Sequence, residues 1–479
     1  MNTPIVERRA GIPRRKFLGA AGTALGAASA LGAGLLTPPS VLSAEISHVS
    51  LRAKAKSLIV IGIWGGMSQF ETFGPRPLAD MQYRSAFKPI PTNVPGIEIC
   101  ETLPMLAKIA DKYSILRTML NPFTGHSNCL TCILSNSMPP GSTQSSHPSS
   151  KLVYPGVGGV VALKKCEDGT YKGDLPPWIS IGRAMGAPDE GFLGAKWRPY
   201  NVSTSGRPRR AVDQRMTDRR GLLAAIEPQA VDPTGAKPPA VEAAAAVREQ
   251  MFRASSGEAQ DALDLGQEKD DVRERYGKDE FGQSLLLARR LAAYGVPSVS
   301  VLTSGNAVSP DGMRHGWDMH THLNAAIKAL CPILDRALSA LIEDLAASGL
   351  LDKTIVVLAP ENGKAPGFAA DATTGAKTNW KFGDPHQGEK GGRHHWGNGY
   401  SCVVAGGGFQ GGRTVGEMDR NGMAVHSRPI YPWDMWESVY RLLGIDPSDA
   451  LPNPTGCVAP VSQATACSLP RGGILTEIL

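Results

Sequence analysis

Apolar and polar positions divide this chain into short unbroken apolar runs and longer stretches of helical periodicity. Ser57 to Trp64 (SLIVIGIW) is one such run, stopped by Gly65-Gly66. Ser298 to Thr303 (SVSVLT), Thr354 to Ala359 (TIVVLA) and Ser401 to Ala405 (SCVVA) have the same character, and Ser114 to Met119 adds a fifth strand. A strand with one face in water alternates, whereas unbroken runs mark strands covered on both faces, as in a parallel sheet. Between the runs, Phe281 to Tyr294 has apolar residues at helical spacing. Leu323 to Ser348 repeats Leu and Ala every three or four residues until Gly349 supplies a stop. Strand, helix and strand in this order predict right-handed crossovers and an α/β three-layer sandwich with a mainly parallel central sheet.

Two stretches depart from that pattern. Residues 197–269 carry Arg207, Arg209, Arg210, Arg219 and Arg220, then a Pro/Ala-rich linker from Pro233 to Ala246. We read this stretch as a helical insertion over one end of the sheet, its arginines forming a solvated face in preference to a site for an anionic substrate. Residues 451–479 read as an irregular tail.

The N-terminus reads as an address. Arg14-Arg15-Lys16-Phe17-Leu18 leads into the Gly-, Ala- and Leu-rich run Gly19 to Leu36, the basic-then-apolar order of an export signal. The paired arginines point to the twin-arginine route. The run is short and weakly hydrophobic for a membrane span. Residues 1–44 are therefore expected to be a signal peptide, and the protein is expected to act in the periplasm or outside the cell. This changes the charge reading. The formal charge of +6 includes five basic residues and one acid before position 45, which leaves about +2 on residues 45–479. So balanced a surface argues against a nucleic-acid partner.

Cysteines stand at positions 100, 129, 132, 166, 331, 402, 457 and 467. Export permits their oxidation. Cys457 and Cys467 bracket the Pro/Gly-rich tail and could staple it, and the lone C-x-x-C at Cys129 and Cys132 is assigned a structural role.

In a parallel α/β sheet ligands bind beyond the carboxyl ends of the strands. The loops there contain Glu71 after the first strand, His315, Asp318, His320 and His322 after Ser298 to Thr303, and Glu361 after Thr354 to Ala359. His394 and His395 precede Ser401 to Ala405. Imidazole and carboxylate are the ligands of Zn²⁺ and Mn²⁺, and sites richer in oxygen take Mg²⁺ or Ca²⁺. Asp318 and His322 are four residues apart, so at a helix start both would face one point.

The order of these segments resembles an exported sulfatase-like family (domain of unknown function 1501) in the alkaline phosphatase superfamily. Its Gly-Gly-x-Ser-x-x-Asp-Thr-Phe-Asp-Pro segment is similar to Gly65 to Pro75, and its Trp-Asp-x-His to Trp317, Asp318 and His320. Its Glu-Phe-Gly-Arg-x-Pro resembles Glu361 to Pro366, and its Gly-Arg-Asp-His-Trp resembles Gly392 to Trp396. The triple glycine Gly406 to Gly408 and the closing stretch Asp434 to Gly444 also match.

The resemblance implies the superfamily fold and metal-assisted cleavage of phosphate or sulfate esters, carried by small molecules or polysaccharides. It also implies Asp318, His322 and His395 as ligands, with Glu361 as a further carboxylate. Departures are equally specific. Glu71 and Gly74 replace two aspartates, His394 replaces the aspartate beside His395, and Asn362 and Lys364 replace Phe and Arg. The sulfatase Cys-x-Pro-x-Arg nucleophile motif is absent from the sequence. A nucleophile is therefore sought in Thr124-Gly125-His126-Ser127, with Ser127 the candidate nucleophile and His126 a second catalytic candidate beside it. A relative that binds metal or carbohydrate without catalysis is the competing expectation.

Overall fold

The computed structural model describes residues 53–138, 154–182, 187–203, 258–310, 312–369, 387–453, 458–466 and 469–479, with isolated positions between 241 and 249 and at 456. The export signal at 1–44, the five arginines from Arg207 to Arg220 and the Cys457/Cys467 pair lie outside the described residues.

An eight-stranded sheet forms the centre. In chain order its strands are β1 (Ser57–Ile63), β2 (Tyr113–Met119), β3 (Trp178–Gly182), β4 (Tyr200–Val202), β5 (Ser298–Thr303) and β6 (Thr354–Pro360). After β6 comes a separate hairpin, β7 (Gly363–Ala369) and β8 (Gly392–Trp396), before the chain returns to the sheet as β9 (Tyr400–Ala405) and β10 (Arg413–Val415). Across the sheet the order is β10-β2-β9-β6-β1-β5-β3-β4.

The unbroken apolar run of β1 is explained by its two neighbours in depth. Ile59, Ile61 and Ile63 enter one core, with helices α3 (Glu280–Ala293) and α4 (Leu323–Ala347). Leu58 and Val60 enter the other, with α1 (His126–Ser135), α2 (Val157–Glu167) and α5 (Pro432–Leu442). Successive strand residues point to opposite faces, so both faces demand apolar side chains. Each fully buried Ile or Leu contributes roughly 1.5–3 kcal/mol. Residues on both faces of β1 are almost wholly buried.

Three features differ from the sequence reading. Strand β9 runs antiparallel to both β6 and β2, while every other neighbouring pair is parallel. The cause is the hairpin, which turns the chain around at the carboxyl edge of β6, so the next strand must run back. Second, Gly392 to Trp396 is a strand and not a loop. Third, Tyr200–Val202 lies inside the stretch read as a helical insertion, yet it is the edge strand of the main sheet. Residues 204–240 lie outside the described residues. The tail is pinned: the Arg428 guanidinium donates to the carbonyls of Gly472 (2.6 Å) and Ile474 (2.9 Å), and Leu475 and Ile478 are buried.

Among the described residues no helix is long and apolar enough to cross a membrane.

Candidate functional site

The carboxyl edge of the sheet gathers side chains from four separate stretches. After β2 the chain turns through Asn121, whose side-chain amide donates to the Glu361 carbonyl (3.0 Å). It then starts α1 with His126. Glu361 follows directly on β6. Asp318 and His320 lie in the segment between β5 and α4, and His395 lies near the end of β8, just before β9. Because β9 is antiparallel, the residues that precede it stand at the same edge as those that follow the parallel strands.

Asp318 is the hub. Its Oδ1 lies 2.8 Å from His320 Nε2 and 3.0 Å from His395 Nε2, and its Oδ2 lies 3.3 Å from His126 Nε2. The two Nε2 atoms of His320 and His395 are 3.0 Å apart. One ligand atom from each of His126, Asp318, His320 and His395 falls within 4.8 Å of the others. All four side chains are partly sheltered, between 15% and 29% exposed.

Outer contacts orient the rings. The His395 Nδ1–H donates to the Thr124 carbonyl at 2.7 Å, which leaves Nε2 as the atom facing Asp318. His126 Nδ1 donates to Glu361 Oε1, whose other tie is the Gly65 amide at 2.9 Å. A ligating histidine held at Nδ1 by a carboxylate or carbonyl is the usual support of a metal site. Trp64 stacks on His126 with ring centres 4.2 Å apart.

Close backbone approaches make the cluster possible. At Gly65 φ is +106°, and an added Cβ would stand 2.5 Å from the Asp318 amide nitrogen. At Gly392 a Cβ would meet the His320 carbonyl carbon at 2.2 Å.

Electrostatics follow the geometry. Burial alone would raise the Asp318 carboxyl, but three imidazoles and the Lys364 ammonium hold it far below the usual range. Burial likewise opposes a charged His126, yet Asp318 and Glu361 on either side raise its imidazole to about 9. Burial depresses His395 and raises Glu361.

The other candidates are placed elsewhere. His322 is the residue before α4, with a left-handed backbone (φ 51°), and its amide donates to the Lys390 carbonyl at 3.2 Å. The helix begins only at Leu323, so Asp318 and His322 do not share a helical face, and His320 takes the place expected for His322. His394 is exposed and packs edge-on to the His320 ring, centres 5.9 Å apart. Glu71 is fully buried and paired to Arg393 at 3.1 Å, with Ser68 Oγ as a second partner. Arg393 is itself enclosed between Phe70 and Phe368. Glu71 thus neutralises a buried guanidinium away from the cluster. Ser127 is half-buried in the first turn of α1, beside His126.

Lys364 was missed as a site residue. Its side chain is buried and its Nζ donates to the Gly65 carbonyl at 2.7 Å, 3.4 Å from Asp318 Oδ1. The signal was its place three residues after Glu361, in a segment that already held a candidate.

The donor set suits a divalent ion. Three imidazole nitrogens and one carboxylate are what Zn²⁺ and Mn²⁺ take. The protein by itself leaves His320 Nδ1 and Glu361 Oε2 buried without partners.

The chain matches several solved structures at low identity and low TM-score. The lipoteichoic acid synthase LtaP from Listeria monocytogenes is 10% identical over 83% of this chain and 74% of its own, with a TM-score of 0.36. A protein in the alkaline phosphatase superfamily from Vibrio parahaemolyticus is 13% identical over 83% and 68%, also at 0.36. A phosphonate monoester hydrolase from Silicibacter pomeroyi is 9% identical over 82% and 73%, again at 0.36. Among curated proteins none matches this chain. A family model does, over residues 55–466, and the chain belongs to that family, described as "Protein of unknown function (DUF1501)".

Proposed function

We propose that this protein is an exported, metal-dependent hydrolase of phosphate or sulfate esters, acting on small molecules or polysaccharides. The observation that carries the metal reading is the convergence of His126, His320 and His395 Nε2 on the Asp318 carboxylate. The ester chemistry rests on the ordered motif resemblance, and the export on residues 1–44.

A divalent ion here would supply Lewis-acid polarisation of the ester oxygens and lower the pKa of a nucleophile bound to it. Asp318, His126, His320 and His395 would hold it. Glu361 and the Thr124 carbonyl keep the His126 and His395 rings turned with Nε2 inward. Ser127 is the candidate nucleophile, one residue beyond a ligand. The first turn of α1 around it presents backbone N–H groups and a positive helix end, which favour an anionic ester.

The test is hydrolysis of an aryl phosphate and an aryl sulfate by the full chain loaded with Zn²⁺ or Mn²⁺. Ser127→Ala should lose turnover and keep its metal, whereas Asp318→Ala should lose both. Turnover that survives in Ser127→Ala would remove Ser127 from the reaction. A loaded wild-type protein that cleaves no ester in a broad panel would sink the hydrolase and leave a metal-binding protein without catalysis.

A further inference from the structure

We infer that the protein holds a small halide-class anion, such as chloride, in a second site between Arg76, Arg117 and Ser401. The inference stands apart from the metal centre and from the ester chemistry.

A break in strand register makes the site. Tyr400 pairs with Met119 and Cys402 with Leu116, so Ser401 on β9 stands opposite two residues of β2, Arg117 and Thr118. A bulge of this kind re-aims the side chains beside it. Tyr400 and Cys402 both enter the core that holds α1, α2 and α5. Ser401 lies between them and points to the opposite face of the sheet, where it lines a small cavity with Arg117. The loop after β1 supplies the other wall through Gln69, Gly74 and Arg76.

Unbalanced charge is the first reason for an anion. Arg117 donates to the carbonyls of Phe73 (3.1 Å) and Glu98 (2.6 Å), which fix the guanidinium without cancelling its charge. Burial, and after it the nearness of Arg76, lowers Arg117 to about 10, so it remains a cation at neutral pH. Among the described residues neither arginine forms an ion pair. Asp419 and Glu417 act on Arg76 only at longer range, as Glu98 does on Arg117. Asp419 Oδ1 is already taken by the Met423 amide at 2.8 Å.

The second reason is an orphaned donor. Ser401 is 2% exposed and its Oγ has no partner. A buried hydroxyl in that state is costly, and it marks the place of a bound water or ion. Two guanidiniums beside it select an anion. Size then selects the class. The free space is about 10 Å³, the room of roughly one water-sized sphere. A halide is close to that size, whereas phosphate and sulfate exceed it.

An anion here would tie β2, β9 and the loop after β1 together. That loop also carries Gln69, whose side-chain amide grips the Lys364 backbone on β7 from both sides (2.8 and 3.0 Å), so the same ion would steady the support of the hairpin.

The experiment follows thermal unfolding of the full chain, at fixed metal content and fixed ionic strength, as sodium gluconate is replaced by sodium bromide. A saturable rise in Tm of at least about 1 °C is expected, because the ion binds only the folded state. Ser401→Ala loses no protein hydrogen bond and should raise the bromide concentration for half-saturation at least fivefold. Arg76→Gln should raise it at least tenfold. Equal stability in gluconate and bromide, or an unchanged titration in a folded Ser401→Ala, would overturn the inference. Crystals grown in bromide locate the ion by its anomalous scattering. A peak between Arg76, Arg117 and Ser401 is expected, and a cavity that holds only water in those crystals would overturn the site even if Arg76→Gln failed to fold.

Discussion

Asp318 and His126 should be the least dispensable side chains of the centre, because one bridges three imidazoles and the other is braced by two carboxylates. Asp318→Ala or His126→Ala should weaken Zn²⁺ binding by about a hundredfold or more, since the remaining groups cannot complete the shell. His322→Ala and His394→Ala should leave it nearly unchanged, and equilibrium dialysis separates the two classes. The same histidine sets a pH dependence. Its folded-state pKa, raised to about 9, means that the metal-free protein gains stability from protonated His126 below roughly pH 6.5 and loses it as pH rises through about 9. An incoming ion must displace that proton. Metal affinity should therefore rise with pH up to about 9, and calorimetry in buffers of different ionisation enthalpy should show close to one proton released per ion at neutral pH. Asp318, His320 and His395 were legible in the sequence because strand-end loops in an α/β sheet are where ligands bind. His322 misled because the spacing argument assumed a helix starting at Asp318, five residues too early. His126 was placed with Ser127 among the catalytic candidates and not among the ligands. Its role depends on β2 lying two strands from β6, with β9 between, and no local pattern encodes that.

Elements place these residues, and the hairpin β7–β8 places two of them. It carries Lys364 and His395 opposite each other, and it is locked to the β1 loop by the buried Glu71–Arg393 pair. Removing one partner of a fully buried pair leaves an uncompensated charge and typically costs about 3–5 kcal/mol. Glu71→Gln should thus lower unfolding free energy by roughly 3 kcal/mol in a denaturant titration, while the folded fraction keeps its metal stoichiometry. Loss of metal from that variant under conditions where it remains folded would restore Glu71 as a ligand. The strands themselves were readable from unbroken apolar runs, and α4 from its periodicity. The direction of β9 was not, since a short run such as Ser401 to Ala405 has the same composition whichever way it lies. The hairpin was hidden for a related reason: Gly392 to Trp396 is mostly polar in sequence, without the apolar signature of a core strand.

For the molecule as a whole, the sheet supplies an edge and the centre draws on chain segments far apart. Asp318 meets His395 across 77 residues, and Glu361 meets His126 across 235. Contacts of such sequence separation are slow to form, because loop closure must precede any gain from the contact. The centre should therefore assemble after the transition state for folding has passed. An ion that binds only the finished site would then act as a latch, not as a seed. Stopped-flow measurements with and without Zn²⁺ should show nearly equal refolding rates and an unfolding rate slowed by the full binding free energy. The antiparallel return of β9 makes this concrete. One of the four donors arrives only when the hairpin has folded back onto the sheet edge, so a nascent chain released before residue 395 has emerged should bind Zn²⁺ at least as weakly as a variant that lacks one donor.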